Sequence, residues 1–183
     1  MPEIPLPDPP LSDGAVALRP WREADAPALA AACQDPEIPR WTVVPSPYTE
    51  EDARDHIARS AASRTAGESL SLAMVDAETD ALQGACGLGR FDWENRSAEA
   101  GYWVASEARG GSVGTRAVRL LARWALQSLR LERLAVLANP ENEPSQRLAM
   151  RAGFTREGLL RSYRERKGVR EDLVVFSLLP SDL

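Results

Sequence analysis

A glycine-rich segment between two arginines contains the residue types that bind phosphate. It reads "ARGGSVGTRA" over residues 108–117, after a strand-like stretch and before a long amphipathic run. This position indicates a helix N-terminus, where free backbone N–H groups meet the positive end of the helix dipole. Because glycine has no Cβ, such a backbone can approach phosphate oxygens closely. The pattern predicts a pyrophosphate site to which Arg109 and Arg116 add charge, with a plain strand-to-helix connection as the alternative.

Cysteine and histidine are too few and too scattered for a metal centre. Cys33 and Cys86 stand alone, without a CxxC pair or a neighbouring histidine. The sequence therefore predicts buried free thiols, with neither a disulfide framework nor a metal site. The single histidine, His56, falls on a polar predicted helix, which favours a surface role over catalysis.

Hydrophobic periodicity predicts the elements that position the glycine segment. Alternating apolar residues indicate seven strands, and three- to four-residue spacing indicates four helices. A capping box at Thr49 and Asp52 begins the second helix, and residues 36–48 form a loop before it. The third helix is predicted over residues 111–129, directly after the glycines. The strands fall near residues 15–20, 70–74, 84–91, 97–105, 131–138, 154–163 and 171–179, and the other helices near 22–35 and 145–153.

Charge and composition limit the classes of partner. The chain has 183 residues, 44% of them apolar, and a net charge of −5. This sign excludes strong non-specific binding to nucleic acid or to an anionic membrane, and it is compatible with a basic partner. No secretory signal or membrane span is recognisable, so we expect a cytoplasmic protein. Proline crowding divides the chain into an extended lead-in, residues 1–14, and one domain, residues 15–183.

Two ordered motifs extend this interpretation to a family. "AEAGYWVASEARGGSVGT" is followed by "NPENEPSQRLAMRAGFTREGLLR" after the next predicted strand. Together they resemble the GNAT superfamily of acetyl-CoA-dependent N-acetyltransferases, and most closely its RimJ/RimL branch, which acetylates ribosomal-protein N-termini. The likeness covers residues 15–179. It implies a mixed α/β fold with a mainly antiparallel sheet, splayed between the fourth and fifth predicted strands, and helices on both faces.

The resemblance assigns roles to the residues of both motifs. Asn142 and Ser145 would contact the pantetheine arm and the thioester. Ser112 departs from the family's central glycine, and Ala149 stands where a tyrosine often acts as the general acid, so that role would pass to Ser145. Replacement of Gly114 by a bulky residue such as valine is expected to abolish most of the rise in melting temperature caused by acetyl-CoA while leaving the fold intact. The pyrophosphate loop would comprise Arg109, Gly110, Gly111, Ser112, Val113, Gly114 and Thr115.

The implied reaction is direct attack of an amine on the acetyl thioester. The thioester oxygen gains negative charge and needs a donor, for which the backbone N–H of Trp103 or Val104 is the candidate. An amine must be neutral to attack, so a base is needed. We predict Glu99, which by strand alternation shares a face with Trp103, although a solvated or ion-paired carboxylate is the alternative. Glu165 and Asp172 are weaker candidates.

Several side chains are candidates to contact the acceptor or the outer phosphate of CoA. Trp41 and Tyr163 are candidates to line its cleft, and Arg147 and Arg151 to meet a CoA phosphate or solvent. The resemblance implies a protein N-terminal amine, with a small-molecule amine such as an antibiotic or polyamine as the runner-up. A third hypothesis is a sensor that binds acyl-CoA without catalysis. The chain is expected to be a monomer or homodimer.

Overall fold

The architecture is an open eight-stranded sheet. The computed structural model describes all residues from Met1 to Leu183. The strands are β1 (Leu11–Ser12), β2 (Val16–Pro20), β3 (Leu70–Asp76), β4 (Leu82–Asp92), β5 (Ser97–Val104), β6 (Arg133–Ala138), β7 (Thr155–Arg166) and β8 (Val169–Leu178). They lie in the order β1-β2-β3-β4-β5-β6-β8-β7, and every neighbouring pair is antiparallel except β5 with β6.

The sheet opens between β5 and β6, the fourth and fifth of the predicted strands. These two strands are parallel and pair only from Ser97 with Arg133 to Glu99 with Ala135. Beyond that point they separate, so the second half of β5 and the end of β6 face a gap. The predicted splay is therefore confirmed.

Helices cover both faces of the sheet, as predicted. The helices are α1 (Ala26–Ala32), α2 (Glu37–Trp41), α3 (Glu50–Thr65), α4 (Val113–Gln127) and α5 (Glu143–Arg151). The apolar stripe of α4, with Leu121 fully buried, joins the larger core together with Ala98 and Ala100 of β5. Trp103 points to the other face and packs on the smaller cluster formed around α1 and α3. No helix is long and apolar enough to cross a bilayer.

Two helices beside the site differ from the sequence-based expectation. Helix α2 lies inside the predicted loop, because the Asp35 side chain accepts a hydrogen bond from the Glu37 N–H (3.0 Å) and Pro39 falls in the first turn, where an N–H has no helical partner. Helix α4 begins at Val113, two residues after its predicted start. The predicted cap of α3 is confirmed, since Thr49 Oγ1 accepts from the Asp52 N–H at 3.1 Å.

The proline-rich lead-in packs on the domain. Ile4 is fully buried, and its N–H donates to the Arg64 carbonyl at the end of α3 (3.1 Å). Strand β1 then pairs with β2. The lead-in thus contributes a core residue and an edge strand.

Candidate active site

Free backbone amides gather where α4 begins. None of the backbone N–H groups from Gly110 to Thr115 donates a hydrogen bond, and the first helical bond runs from Arg116 N–H to the Ser112 carbonyl. Ser112 is the N-cap residue, but its hydroxyl accepts from Arg116 Nε (2.9 Å) and caps nothing. The unpaired amides and the helix dipole make this loop a suitable site for a pyrophosphate.

The glycines of the loop differ in the space around the position that a Cβ atom would take. Gly110 has a φ of +80°, and a Cβ at Gly110 or Gly111 would meet nothing closer than 3.9 Å. At Gly114 a Cβ would lie 2.6 Å from Leu148 Cδ1 and 2.9 Å from Val104 Cγ2. Glycine at this position thus allows the close packing of α4 against α5 and β5. A valine here would require the ends of the Leu148 and Val104 side chains to shift, so we expect Gly114→Val to lower stability as well as to affect the loop.

Both arginines that flank the loop are held by carboxylates. Arg109 forms an ion pair with Asp35 (2.5 Å), and its Nε donates to the Val104 carbonyl (3.0 Å). Arg116 pairs with Asp13 in the lead-in (2.9 Å). Direct contact of either arginine with a pyrophosphate stays a prediction, since it requires these groups to share or exchange partners.

A cavity of about 650 Å³ begins at the loop and passes through the gap between β5 and β6. Gly110, Gly111, Gly114 and Thr115 line one end, whereas Ser112 belongs to a shallower depression beside it. The middle is lined by Tyr102, Trp103, Val104, Leu137, Ala138, Asn142 and Ser145. The far end is formed by α2 and by the β7–β8 hairpin, through Glu37, Trp41, Arg164, Arg166 and Glu171. One cavity thus connects the loop of free amides with a mixed polar and aromatic pocket.

A tyrosine and a serine meet in the middle of the cavity. The Tyr102 hydroxyl donates to the Ser145 carbonyl oxygen (3.0 Å) and lies 3.1 Å from Ser145 Oγ. Burial raises the pKa of the Tyr102 phenol to about 12, so it keeps its proton at neutral pH. Asn142 caps α5, because its Oδ1 accepts from the Ser145 N–H (3.1 Å). Tyr102 was not predicted, and the GYW motif was the available signal.

Backbone geometry distinguishes between the two predicted oxyanion donors. The Ala105 N–H donates to the Gln83 carbonyl beside β4 (2.9 Å). Because successive N–H groups along a strand point to opposite edges, the Trp103 N–H also points to β4, and the Val104 N–H points into the gap. The Val104 carbonyl faces the same way, since Arg109 reaches it there. The geometry therefore favours Val104, while Trp103 contributes its side chain to the cavity wall.

The predicted base, Glu99, does not line the cavity. It lies where β5 and β6 still pair, and its Oε2 accepts from Arg164 Nη2 (2.7 Å) with Arg90 Nε at 3.6 Å. Its side chain is 22% exposed. The ion-paired alternative considered from the sequence matches this geometry. Arg164, which Glu99 holds, does reach the cavity.

The carboxylates that line the cavity are two that the sequence did not single out. Glu171 accepts two bonds from Arg166, Nε to Oε2 (2.9 Å) and Nη2 to Oε1 (2.5 Å). Glu37 accepts from Trp41 Nε1 (3.0 Å), a bond that holds the pKa of this carboxyl below its usual range. The hairpin candidates Glu165 and Asp172 are exposed, are absent from the lining, and alternate with Glu171 along the strands.

Of the remaining side chains considered from the sequence, some line the cavity and others do not. Trp41 lines the cavity as predicted, but Tyr163 does not, because it is 47% exposed on the outer face of β7. Arg147 and Arg151 both line it, and Arg147 also pairs with Glu143 (2.8 Å). His56 is half-buried in a T-shaped contact with Trp21 and does not line the cavity. The two thiols are buried and free, as predicted.

Comparison with known proteins agrees with this arrangement. Residues 16–155 match the family described as Acetyltransferase (GNAT) domain. The uncharacterised N-acetyltransferase p20 of Bacillus licheniformis is 34% identical over 165 residues, which span 90% of this chain and 92% of that protein. A ribosomal-protein-serine acetyltransferase of Escherichia coli (strain K12) is 32% identical over 82 residues, which span 45% of this chain and 46% of that one.

The solved structures show the same architecture. The structure of Mycobacterium smegmatis RimJ in complex with CoA-disulfide superimposes with a TM-score of 0.84 at 26% identity, over 95% of this chain and 87% of that one. This chain therefore shares its overall architecture with a protein whose structure was determined in complex with CoA-disulfide. Since the family match spans more than half of the chain and agrees with the architecture, the chain belongs to the GNAT acetyltransferase family and is an N-acetyltransferase.

Proposed function

We propose that this enzyme transfers the acetyl group of acetyl-CoA to the N-terminal α-amine of a protein. The observation that carries the proposal is the single cavity, which joins the loop of free amides to a polar pocket through the gap between β5 and β6. The relative from Escherichia coli is named for acetylation of a ribosomal protein, which supports a protein acceptor.

Three groups along the cavity support the binding of acetyl-CoA. The amides from Gly110 to Thr115 would receive the pyrophosphate, with charge from Arg109 and Arg151 nearby. The edge of β6 that faces the gap has no strand partner beyond Ala135, so it can bond the amides of the pantetheine arm as a strand would. Asn142 keeps its side-chain N–H₂ free for the same arm.

Two groups in the middle of the cavity would assist acetyl transfer. The Val104 N–H points to where the thioester oxygen gains charge, and a fixed donor there favours the transition state. Ser145 Oγ would give a proton to the departing thiolate and take one in the same step from the Tyr102 hydroxyl, 3.1 Å away, which solvent then reprotonates. Ala149 is fully buried in the core and does not line the cavity. The tyrosine of the pair comes from β5.

The amine must lose a proton, and we assign this step to Glu171. An α-amino group titrates near pH 8 in model compounds, so part of it is still protonated at neutral pH. A base must reach the amine directly or through one water, and Glu171 lines the cavity whereas Glu99 lies outside it. The acceptor pocket in front of Glu171 is completed by Trp41 of α2.

A panel of matched amines tests the acceptor class. One peptide has a free N-terminus and no lysine, and a second has the same sequence with a blocked N-terminus and one lysine added. An aminoglycoside and spermidine represent small-molecule amines, and thiol release with mass analysis of the product reports turnover. We expect the first peptide to be acetylated and the second to be inert. Turnover confined to the small amines, or to the lysine side chain, would overturn the proposal.

A further inference from the structure

One guanidinium in the acceptor pocket has unused hydrogen-bond donors. Arg164 lines the cavity and is 29% exposed. Its Nη2 donates to Glu99 (2.7 Å). Its guanidinium carbon lies 5.8 Å from the centroid of the Tyr163 ring. Neither Nε nor Nη1 has a hydrogen-bond acceptor in the protein. An arginine presents five N–H donors in a planar fork, so most of the donors of Arg164 are without a protein acceptor at the wall of the pocket.

The charges around Arg164 leave one positive charge in excess. Glu99 is shared by two arginines, Arg164 at 2.7 Å and Arg90 at 3.6 Å. Glu171 stands opposite Arg164 in the β7–β8 register, but both of its oxygens are bonded by Arg166. The third carboxylate of the pocket, Glu37, is bonded by Arg40 and Trp41. Glu171 and Glu37 are thus each paired with an arginine of their own. Glu99 is the single carboxylate available to both Arg90 and Arg164, so one of these two positive charges is not balanced.

The excess positive charge beside Arg164 is opposite in sign to the net charge of the whole molecule. A net charge of −5 is compatible with a basic partner. Exposed charges farther than about 8–10 Å are screened at physiological ionic strength, so the groups that line the pocket govern what binds there. A guanidinium with a free fork pairs best with a carboxylate, which accepts two parallel hydrogen bonds.

We propose that Arg164 is a specificity-determining residue, which binds a carboxylate of the acceptor close to the amine that is acetylated. The acceptor is then a protein whose N-terminal segment carries an acidic residue within its first few positions. Glu99 is a positioning residue in this arrangement, because it bonds Nη2 alone and leaves Nε and Nη1 without a protein acceptor. This inference rests on the proposed N-terminal acceptor and names its chemical class.

Isosteric peptides test the inference. The parent peptide has a free N-terminus and asparagine at positions two to five, and each asparagine is replaced in turn by aspartate. We expect one position at which aspartate raises kcat/KM about tenfold, mainly through KM, as for a charged hydrogen-bonded pair. The gain should shrink as salt rises, because the pocket is open to solvent.

Three variants assign the effect. Arg164→Gln should abolish the aspartate-to-asparagine ratio, and Arg164→Lys, which keeps the charge without the fork, should retain part of it. Arg161→Gln is the matched control, since this arginine is exposed on the same strand and absent from the cavity lining. An unchanged ratio in Arg164→Gln, or no position that prefers aspartate, would overturn the inference but not the proposed function. Absence of turnover with every peptide would overturn both.

Discussion

Tyr102 and Ser145 form a side-chain pair in the middle of the cavity, from positions 43 residues apart. If Ser145 protonates the thiolate, Ser145→Ala should lower kcat about tenfold, within the smaller effects of acid–base catalysis, because a thiol is a good leaving group. Tyr102→Phe should lower kcat by a similar factor, since it removes the hydroxyl that orients Ser145. Steady-state kinetics with saturating acetyl-CoA measures both.

The exposed Tyr163 supplies the control for this pair. Tyr163→Phe removes a hydroxyl outside the cavity and should leave kcat unchanged. Raising the pH should not rescue Ser145→Ala, because a more neutral amine does not replace a missing acid. A wild-type kcat in Ser145→Ala would leave the thiolate to be protonated by solvent.

Glu99 and Glu171 compete for the role of the base, and their pH–rate profiles distinguish them. Glu171→Gln should lower kcat/KM for the acceptor by about 10²-fold or more near neutral pH, with partial recovery as the amine becomes neutral. Glu99→Gln should lower kcat/KM with acidic acceptors yet keep the wild-type shape of the profile, since it acts through Arg164. The opposite result would restore Glu99 as the base.

At the scale of elements, the start of α4 combines a binding role with a packing role. Ligand at a hundred times its Kd raises the free energy of unfolding by about 2.7 kcal/mol. Gly111→Val should abolish most of this gain with acetyl-CoA, because the side chain crowds free amides without meeting protein atoms. Gly114→Val should instead destabilise the protein without ligand, by about 1–3 kcal/mol. Thermal unfolding with and without acetyl-CoA measures both changes.

Gly158 provides a matched substitution for this prediction. It also has open space around its Cβ position, but it lies on β7 away from the loop. Gly158→Val should keep the stabilisation by acetyl-CoA. If Gly111→Val kept it too, the phosphates would have to bind elsewhere.

At the scale of the whole molecule, buried weak acids predict a loss of stability in alkali. Burial raises the pKa of Cys33 to about 11, that of Cys86 to about 12 and that of Tyr48 to about 12. Below about pH 8.5 these groups are neutral in both states, so their contribution to stability is complete. As the pH rises further, the unfolded chain ionises first, and the free energy of unfolding falls by up to about 1.4 kcal/mol per pH unit for each group.

Urea unfolding between about pH 8 and about pH 11 measures this slope. The double variant Cys33→Ala, Cys86→Ala should start from a lower stability, because both residues are buried, and should show a shallower dependence on pH. A free energy of unfolding that stays constant over this range would contradict the prediction.

Local patterns in the sequence were sufficient to predict most elements and the cofactor loop. The cap at Thr49, the apolar stripe of α4 and the glycines before it depend on residues within about one helical turn of one another. The order of the two motifs was sufficient for the family and hence for the splayed sheet. Helix α2 lies in a segment predicted as a loop, and its two prolines are compatible with a helix because both lie at positions without helical N–H bonds.

Only the tertiary structure decided which side chains meet in the cavity. Alternation of side chains places residues on one face of a strand as long as the strand is regular. The register between β7 and β8 shifts between Leu160 and Arg164, so alternation along β7 does not predict which hairpin carboxylate lines the cavity. The structure places Glu171 there, and not Glu165 or Asp172. Arg164 reaches Glu99 across 65 residues, and Tyr102 reaches Ser145 only because β5 and β6 separate beyond Glu99. Such contacts depend on strand pairing and helix packing between distant segments, and local sequence periodicity carries no information about them.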